Sequence, residues 1–200
     1  MAAHEPSRPP IGRRIIVVGP SCSGKTTLGA EIARRIGGPF IELDALFWKP
    51  GWTAPSDEEF RARLIESHTG DTWVSAGNYL RHTRHLTWPR ADTIIWLDFP
   101  LRLTTRRVLA RSWRRWRSKE LLWGTNRERF WDQLMLWSPN DSLIAYNVSR
   151  HRQNRRIFRR AMEDARAAGK CFLRLESPRT VERLLENLAA DGEMAKLSGP

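Results

Sequence analysis

The sequence predicts an α/β fold, a parallel sheet covered by helices on both faces, with a basic helical insertion after its fourth strand. Three observations carry this. Short β-branched runs alternate with stretches of helical periodicity along the 200 residues. The first run passes through a glycine-rich loop directly into a helix, as parallel strands joined by right-handed crossovers require. No segment repeats, and 40% hydrophobic against 28% charged residues is the balance of one globular domain.

The elements follow in order. Residues 1–12 carry Pro6, Pro9 and Pro10 and no apolar core, so they read as a disordered lead-in and not as a signal peptide. The domain is expected over 13–190, with a flexible tail over 191–200. Residues 14–18 (RIIVV) form a buried strand, and Leu28, Ile32, Ala33 and Ile36 repeat at helical spacing behind the loop. A second strand, 39–43, ends at Asp44, before an aromatic, turn-rich stretch with Phe47, Trp48 and Trp52. Ser56 opens a helix as N-cap, with Glu59 completing a capping box, and Phe60 and Leu64 lie one turn apart.

A third strand, 72–75, leads to Gly77-Asn78-Tyr79, and a fourth, 93–97, to Asp98. A long helix starts at Leu101, runs through Trp116, passes Gly124 and is expected to resume over about 127–136 before Ser138-Pro139 breaks it. The insertion spans about 112–140. A further helix over 142–167, a last strand over 170–175 and a helix opened by Ser177-Pro178 complete the chain.

The chemistry starts at Gly19-Pro20-Ser21-Cys22-Ser23-Gly24-Lys25-Thr26-Thr27, which matches G-x-x-x-x-G-K-[ST] without a mismatch. A strand turning through such a loop presents successive backbone N–H groups and a helix N-terminus to a polyphosphate. Lys25 is expected to reach the β- and γ-phosphates of ATP, and Thr26 with Asp44 to hold Mg²⁺. Ligands of such sheets collect beyond the C-terminal strand ends, which selects Asp44, Asn78, Tyr79 and Asp98 as neighbours of the loop. Asp44 is placed to orient an acceptor hydroxyl or to take its proton.

Composition excludes several classes. No apolar stretch approaches a membrane span. Two cysteines, Cys22 and Cys171, make no disulfide framework and fit a reducing cytosol. His82 and His85 have no third ligand nearby in sequence, so they are not read as a metal site. The net charge of +12 has one origin, because residues 102–170 hold 18 Lys+Arg against 6 Asp+Glu while the rest of the chain is balanced.

The loop, the segment 43–52 (LDALFWKPGW), Gly77-Asn78-Tyr79 with Arg81, and 90–100 (RADTIIWLDFP) come in an order that resembles one group. These are the adenylate-kinase-related bacterial P-loop proteins often labelled DNA topology modulation protein or AAA family ATPase. The resemblance implies a nucleoside-monophosphate-kinase-like sheet of five strands in the order 2-3-1-4-5, ATP and Mg²⁺. It implies an adenine contact at 176–179. The group usually has an acid before Gly-Asn-Tyr, where this chain has Ala76, so the metal duty is expected to pass to Thr26 and Asp44.

The basic insertion then reads as a lid. Arg107, Arg111, Arg114, Arg115, Arg127 and Arg129 are candidates for closing over the transferring phosphoryl, Arg107 and Arg111 foremost. Trp113, Trp116, Trp123, Trp131 and Trp137 are expected to pack the lid. Trp52, Asn78, Tyr79 and Arg81, with Arg84, are assigned to the acceptor, a small anionic or hydroxylated molecule with a nucleotide preferred. The expectation is a cytoplasmic kinase, monomeric or homodimeric. Two alternatives stand beside it: an ATPase whose arginine-rich helices, with Arg150, Arg152, Arg155, Arg156, Arg159 and Arg160, grip nucleic acid, and a regulatory ATP sensor of low turnover.

Overall fold

Ile15, Ile16, Val17 and Val18 are all buried, so the strand β1 (Arg14–Val18) has to be central, with cover on both faces. The computed structural model describes residues 11–127, 130–135, 137–138 and 142–197. Around β1 the strands β2 (Phe40–Glu42), β3 (Trp73–Ala76), β4 (Thr93–Leu97) and β7 (Cys171–Leu175) form a parallel sheet in the order β2-β3-β1-β4-β7. That is the predicted order. Register is set by Ile15 facing Val74 on one side and Thr93 on the other.

Alternate residues of β1 serve two cores. Ile16 and Val18 join Trp73, Ile94 and Trp96 against the helices α3 (Asp57–Ser67) and α6 (Leu143–Ala167), through Phe60, Leu64, Phe158 and Ala161. Ile15 and Val17 join Val74, Ile95 and Leu97 against α1 (Lys25–Ile36) and α7 (Pro178–Leu197), through Leu28, Ile32 and Leu184. Each buried aliphatic contributes about 1.5–3 kcal/mol, so the two clusters outweigh any surface ion pair. The helix α7 runs past residue 190, where the domain was expected to end, to Leu197. No helix is long and apolar enough to cross a membrane among the described residues.

The capping reading is half kept. Ser56 Oγ accepts the Glu59 backbone N–H at 3.1 Å, but the Glu59 carboxylate turns to Lys49 and Arg63. Two short helices were not foreseen, α2 (Leu43–Phe47) and α4 (Leu80–Leu86), because neither carries an apolar stripe long enough to show a period. Asp44 therefore lies in the first turn of α2 and not in a loop.

The helix α5 (Leu101–Ser118) is as predicted, but the insertion after it does not resume as a helix. Lys119, Trp123 and Gly124 all take positive φ, which no continuing helix tolerates, and the chain folds into a hairpin of β5 (Leu121–Leu122) and β6 (Asn126–Arg127). A 3₁₀ turn, Trp131–Leu134, follows. The helical spacing of Phe130, Leu134 and Trp137 was misleading. Trp113, Trp116, Phe130 and Trp131 stack on one another, with neighbouring centroids 5.1–6.3 Å apart, yet the three tryptophans stay exposed. Arg129 and Pro139 lie outside the described residues.

Candidate active site

The loop between β1 and α1 is held by two asparagines from opposite sides. Asn78 Oδ1 accepts the Gly19 N–H at 3.1 Å, and its Nδ2 donates to the Gly19 carbonyl at 2.8 Å. Asn147 of α6 does the same at Ser21, accepting from N–H at 3.1 Å and donating to the carbonyl at 3.3 Å. Each side chain satisfies both groups of one loop residue, so the loop is fixed without using the N–H groups of the α1 first turn. The sequence reading gave Asn78 to the acceptor; here both its amide atoms are spent on the loop, a correction of role. Asn147 was missed altogether, since nothing in the sequence links it to a residue 126 positions away.

Backbone geometry explains the two glycines of the pattern. Gly19 has φ 151°, and a Cβ there would stand 2.7 Å from the Leu97 carbonyl oxygen. Gly24 has φ 97° and caps α1 with no side-chain cap of its own, while the space above it is open. The cradle left by Gly24, with the first-turn N–H groups behind it, is an anion site by construction.

Lys25 is half-buried at this loop and donates Nζ to the carbonyls of Gly19 and Pro20, both at 2.9 Å. Desolvation lowers its pKa, opposed by Asp44, Cys22 and Glu42 and assisted by Arg111. A partly desolvated ammonium ion held by carbonyls favours an anion beside it.

Beyond Lys25 stand two carboxylates. Thr26 Oγ1 donates to Glu42 Oε1 at 3.1 Å. Glu42 is the register partner of Ala76 on the adjacent strand, so a carboxylate stands beside the position where this chain has Ala76. Glu42 escaped the sequence reading because it was read only as part of the second strand; its signal was the Glu42-x-Asp44 spacing at a strand end. Asp44 Oδ1 accepts the Tyr79 hydroxyl at 2.7 Å. Burial, then the Asp44 charge, raises the Tyr79 pKa, so this phenol stays a donor.

One open cleft of about 2350 Å³ joins these groups, more than twice an ordinary small-molecule pocket and so roomy enough for two ligands side by side. Ser21 to Thr27, Glu42, Asp44, Asn78, Tyr79, Arg81, Arg107, Arg111 and Trp52 all line it. Arg107 Nη1 donates to the Ser23 carbonyl at 3.2 Å and sits 5.6 Å over the Phe99 ring, which aims α5 at the loop. Arg114, Arg115, Arg127 and Arg150 also line the cleft. Arg81 is paired with Asp57 at 2.7 Å and mostly exposed. Trp48, Trp52 and Trp123 form an aromatic wall in edge-to-face steps of 5.5 and 5.9 Å.

Asp98 lines a small pocket with Pro20 of the loop, as expected of it, and also serves the scaffold. Asp98 is buried between Arg155 and Arg174, which fasten α6 and β7 to β4. Arg84 lies off the cleft and pairs with Asp164. Among the described residues there is no cluster of three His, Cys, Asp or Glu that would hold a metal by itself. The donor set Thr26–Glu42 beside a phosphate cradle nevertheless fits Mg²⁺, which is usually bound by one or two protein oxygens, phosphates and water.

No family model matches the chain. A curated shikimate kinase from Symbiobacterium thermophilum is 34% identical over 98 residues, 42% of this chain and 56% of that protein. The chain thus spans about half the length of the curated relative it matches. Among solved structures, a shikimate kinase from Bacteroides thetaiotaomicron is 18% identical with a TM-score of 0.47, covering 90% of this chain and 98% of that one. A shikimate kinase from Acinetobacter baumannii in complex with shikimate is 19% identical with a TM-score of 0.48, covering 94% and 96%. A gluconokinase from Sinorhizobium meliloti is 20% identical with a TM-score of 0.46, covering 96% and 99%. The fold itself is α/β, a five-stranded parallel sheet with helices on both faces. The curated similarity is to a small-molecule kinase and lends no support to the DNA-topology label.

Proposed function

We propose that the chain is an ATP-dependent kinase that phosphorylates a hydroxyl of a small polyhydroxylated acid. One observation carries the reading: Asp44, held by the Tyr79 hydroxyl, shares the cleft with Lys25 and the open N-terminus of α1. A carboxylate acceptor and a triphosphate site thus face one space. The loop N–H groups and Lys25 hold the phosphates of ATP. Thr26 and Glu42 would hold Mg²⁺, which when bound neutralises charge on the triphosphate.

In the transfer, the acceptor oxygen bonds to the γ-phosphorus, the bond from that phosphorus to the β–γ bridging oxygen breaks, and ADP leaves. The acceptor proton passes to Asp44. Tyr79 orients that carboxylate, and Arg107 and Arg111 from α5 stabilise charge on the moving phosphoryl. The wall of Trp48, Trp52 and Trp123 excludes water from the acceptor side, and Arg81 would meet the acid group by exchanging its surface pairing with Asp57 for it.

The similarity to shikimate kinase moves a small hydroxylated acid ahead of the nucleotide that the sequence favoured. Few cysteines support a cytosolic place. The test is an acceptor screen coupled to ADP release, with shikimate, gluconate and nucleoside monophosphates as candidates. The reading requires ADP release that depends on an acid acceptor. Release stimulated by duplex DNA and indifferent to every acceptor refutes it.

A further inference from the structure

Glu42 has both carboxylate oxygens occupied, and the second partner comes from the far side of the cleft. Oε1 accepts from Thr26, and Oε2 accepts the indole N–H of Trp123 at 3.1 Å. Trp123 stands at the tip of the β5–β6 hairpin with φ 49°, a left-handed conformation that a bulky residue keeps only when its contacts hold it there.

The same hairpin is fastened to the aromatic wall. The Trp52 backbone N–H donates to Asn126 Oδ1 at 2.9 Å, Asn126 Nδ2 donates to the Lys49 carbonyl at 3.1 Å, and Trp52 Nε1–H donates to the Arg127 carbonyl at 3.0 Å. Asn126 is buried, so its two bonds are partly shielded from water, while the Trp52–Arg127 bond lies at the surface. The wall on the acceptor side and the Thr26–Glu42 pair on the nucleotide side therefore meet at one indole.

We propose that Trp123 is a positioning residue that ties the acceptor wall to the Thr26–Glu42 pair, so that the metal-holding geometry depends on closure of the β5–β6 hairpin. Indole nitrogen only donates and carboxylate only accepts, so the bond has one polarity, and the Trp52 indole is already committed to the Arg127 carbonyl. With Oε2 held, Oε1 cannot swing away from Thr26. An acceptor seated against Trp52 stiffens the hairpin and, through Trp123, the metal-holding oxygens. This rests on the kinase reading of the cleft.

The experiment is calorimetric binding of adenylyl imidodiphosphate, an ATP analogue that is not hydrolysed, in EDTA and in Mg²⁺. Trp123→Phe keeps the ring against Trp52 and removes the N–H. It should bind the analogue in EDTA as the unaltered protein does, while the gain from Mg²⁺ falls about tenfold, the scale of one lost bond to a charged group. Trp123→His, which keeps a ring donor, should recover part of that gain. Glu42→Gln should lose it as well, and the double variant should lose no more than Glu42→Gln alone. A full or enlarged Mg²⁺ gain in Trp123→Phe overturns the proposal, the enlarged case by showing that the hairpin competes for Glu42.

A ligand-free arm separates this from the kinase reading. Trypsin should cleave after the exposed Lys119 and Arg127 several-fold faster in Trp123→Phe, and an unchanged rate overturns the latch. If the unaltered protein binds no analogue at all, the kinase reading falls, and the trypsin arm alone decides the latch.

Discussion

Tyr79 donates its hydroxyl to Asp44 at 2.7 Å, and that bond joins the turn after β3 to the first turn of α2 across the floor of the cleft. The pair has a kinetic signature. Asp44→Asn keeps the shape and removes the proton acceptor, so kcat should fall about 10²–10⁴-fold while ATP affinity holds. Tyr79→Phe should cost less, about tenfold, because Asp44 keeps its charge and loses only its orientation. Steady-state kinetics on both variants check this, and a Tyr79→Phe loss as deep as that of Asp44→Asn would assign the chemistry to the phenol.

Lys25→Ala removes the half-buried cation that lies against the Gly19 and Pro20 carbonyls. Turnover should drop by at least about 10²-fold, with the thermal unfolding midpoint little changed, since a partly desolvated charge and its two carbonyl bonds go together. Nucleotide titration and a melting curve measure the two halves. Normal activity in this variant would remove the loop from the mechanism.

Asn147→Leu breaks both bonds to Ser21 and leaves half-buried backbone groups without them. A loss of about 1–3 kcal/mol in stability is expected, together with weaker ATP binding. Asn147→Asp should separate the two terms, because it keeps the acceptor for the Ser21 N–H and loses the donor to its carbonyl. Denaturant titration reads the first effect and nucleotide binding the second.

His68 provides a stability test by pH. Its ring is buried against Trp73, Nδ1 contacts the Leu64 carbonyl at 2.8 Å, and Nε2 has no partner. Burial lowers its pKa, and the Arg90 charge adds to this. The folded state therefore binds its proton less readily than the unfolded state, whose pKa stays near 6.5. The stabilisation is complete above that value and is lost as pH falls from about 6.5 toward the lower folded pKa. His151 is shifted in the same direction, first by burial, so His68→Phe should flatten the fall of melting temperature between pH 7 and 5 without abolishing it.

Much of this was legible in the chain. β1 and β4 were bounded to the residue because their β-branched runs are cut by charges and turn formers. The loop announced itself through Gly19, Gly24 and Lys25. The hidden part depends on contacts distant in sequence. Glu42 gains meaning only when β2 lies beside β3 and places it next to Ala76, and Asn147 only when α6 crosses the loop. The insertion misled for a different reason: its aromatic spacing fits a helix, while positive φ at Trp123 and Gly124 turns the chain back toward Trp52.

The central claim is transfer of the γ-phosphoryl from ATP to a hydroxyl of a small acid, with Asp44 as proton acceptor. Mass spectrometry of the acceptor pool after incubation with γ-¹⁸O-labelled ATP tests it most directly. The account predicts a labelled phosphate ester on one polyhydroxylated acid, formed by the unaltered protein and nearly absent with Asp44→Asn. Labelled inorganic phosphate alone, produced equally by both proteins, would contradict it.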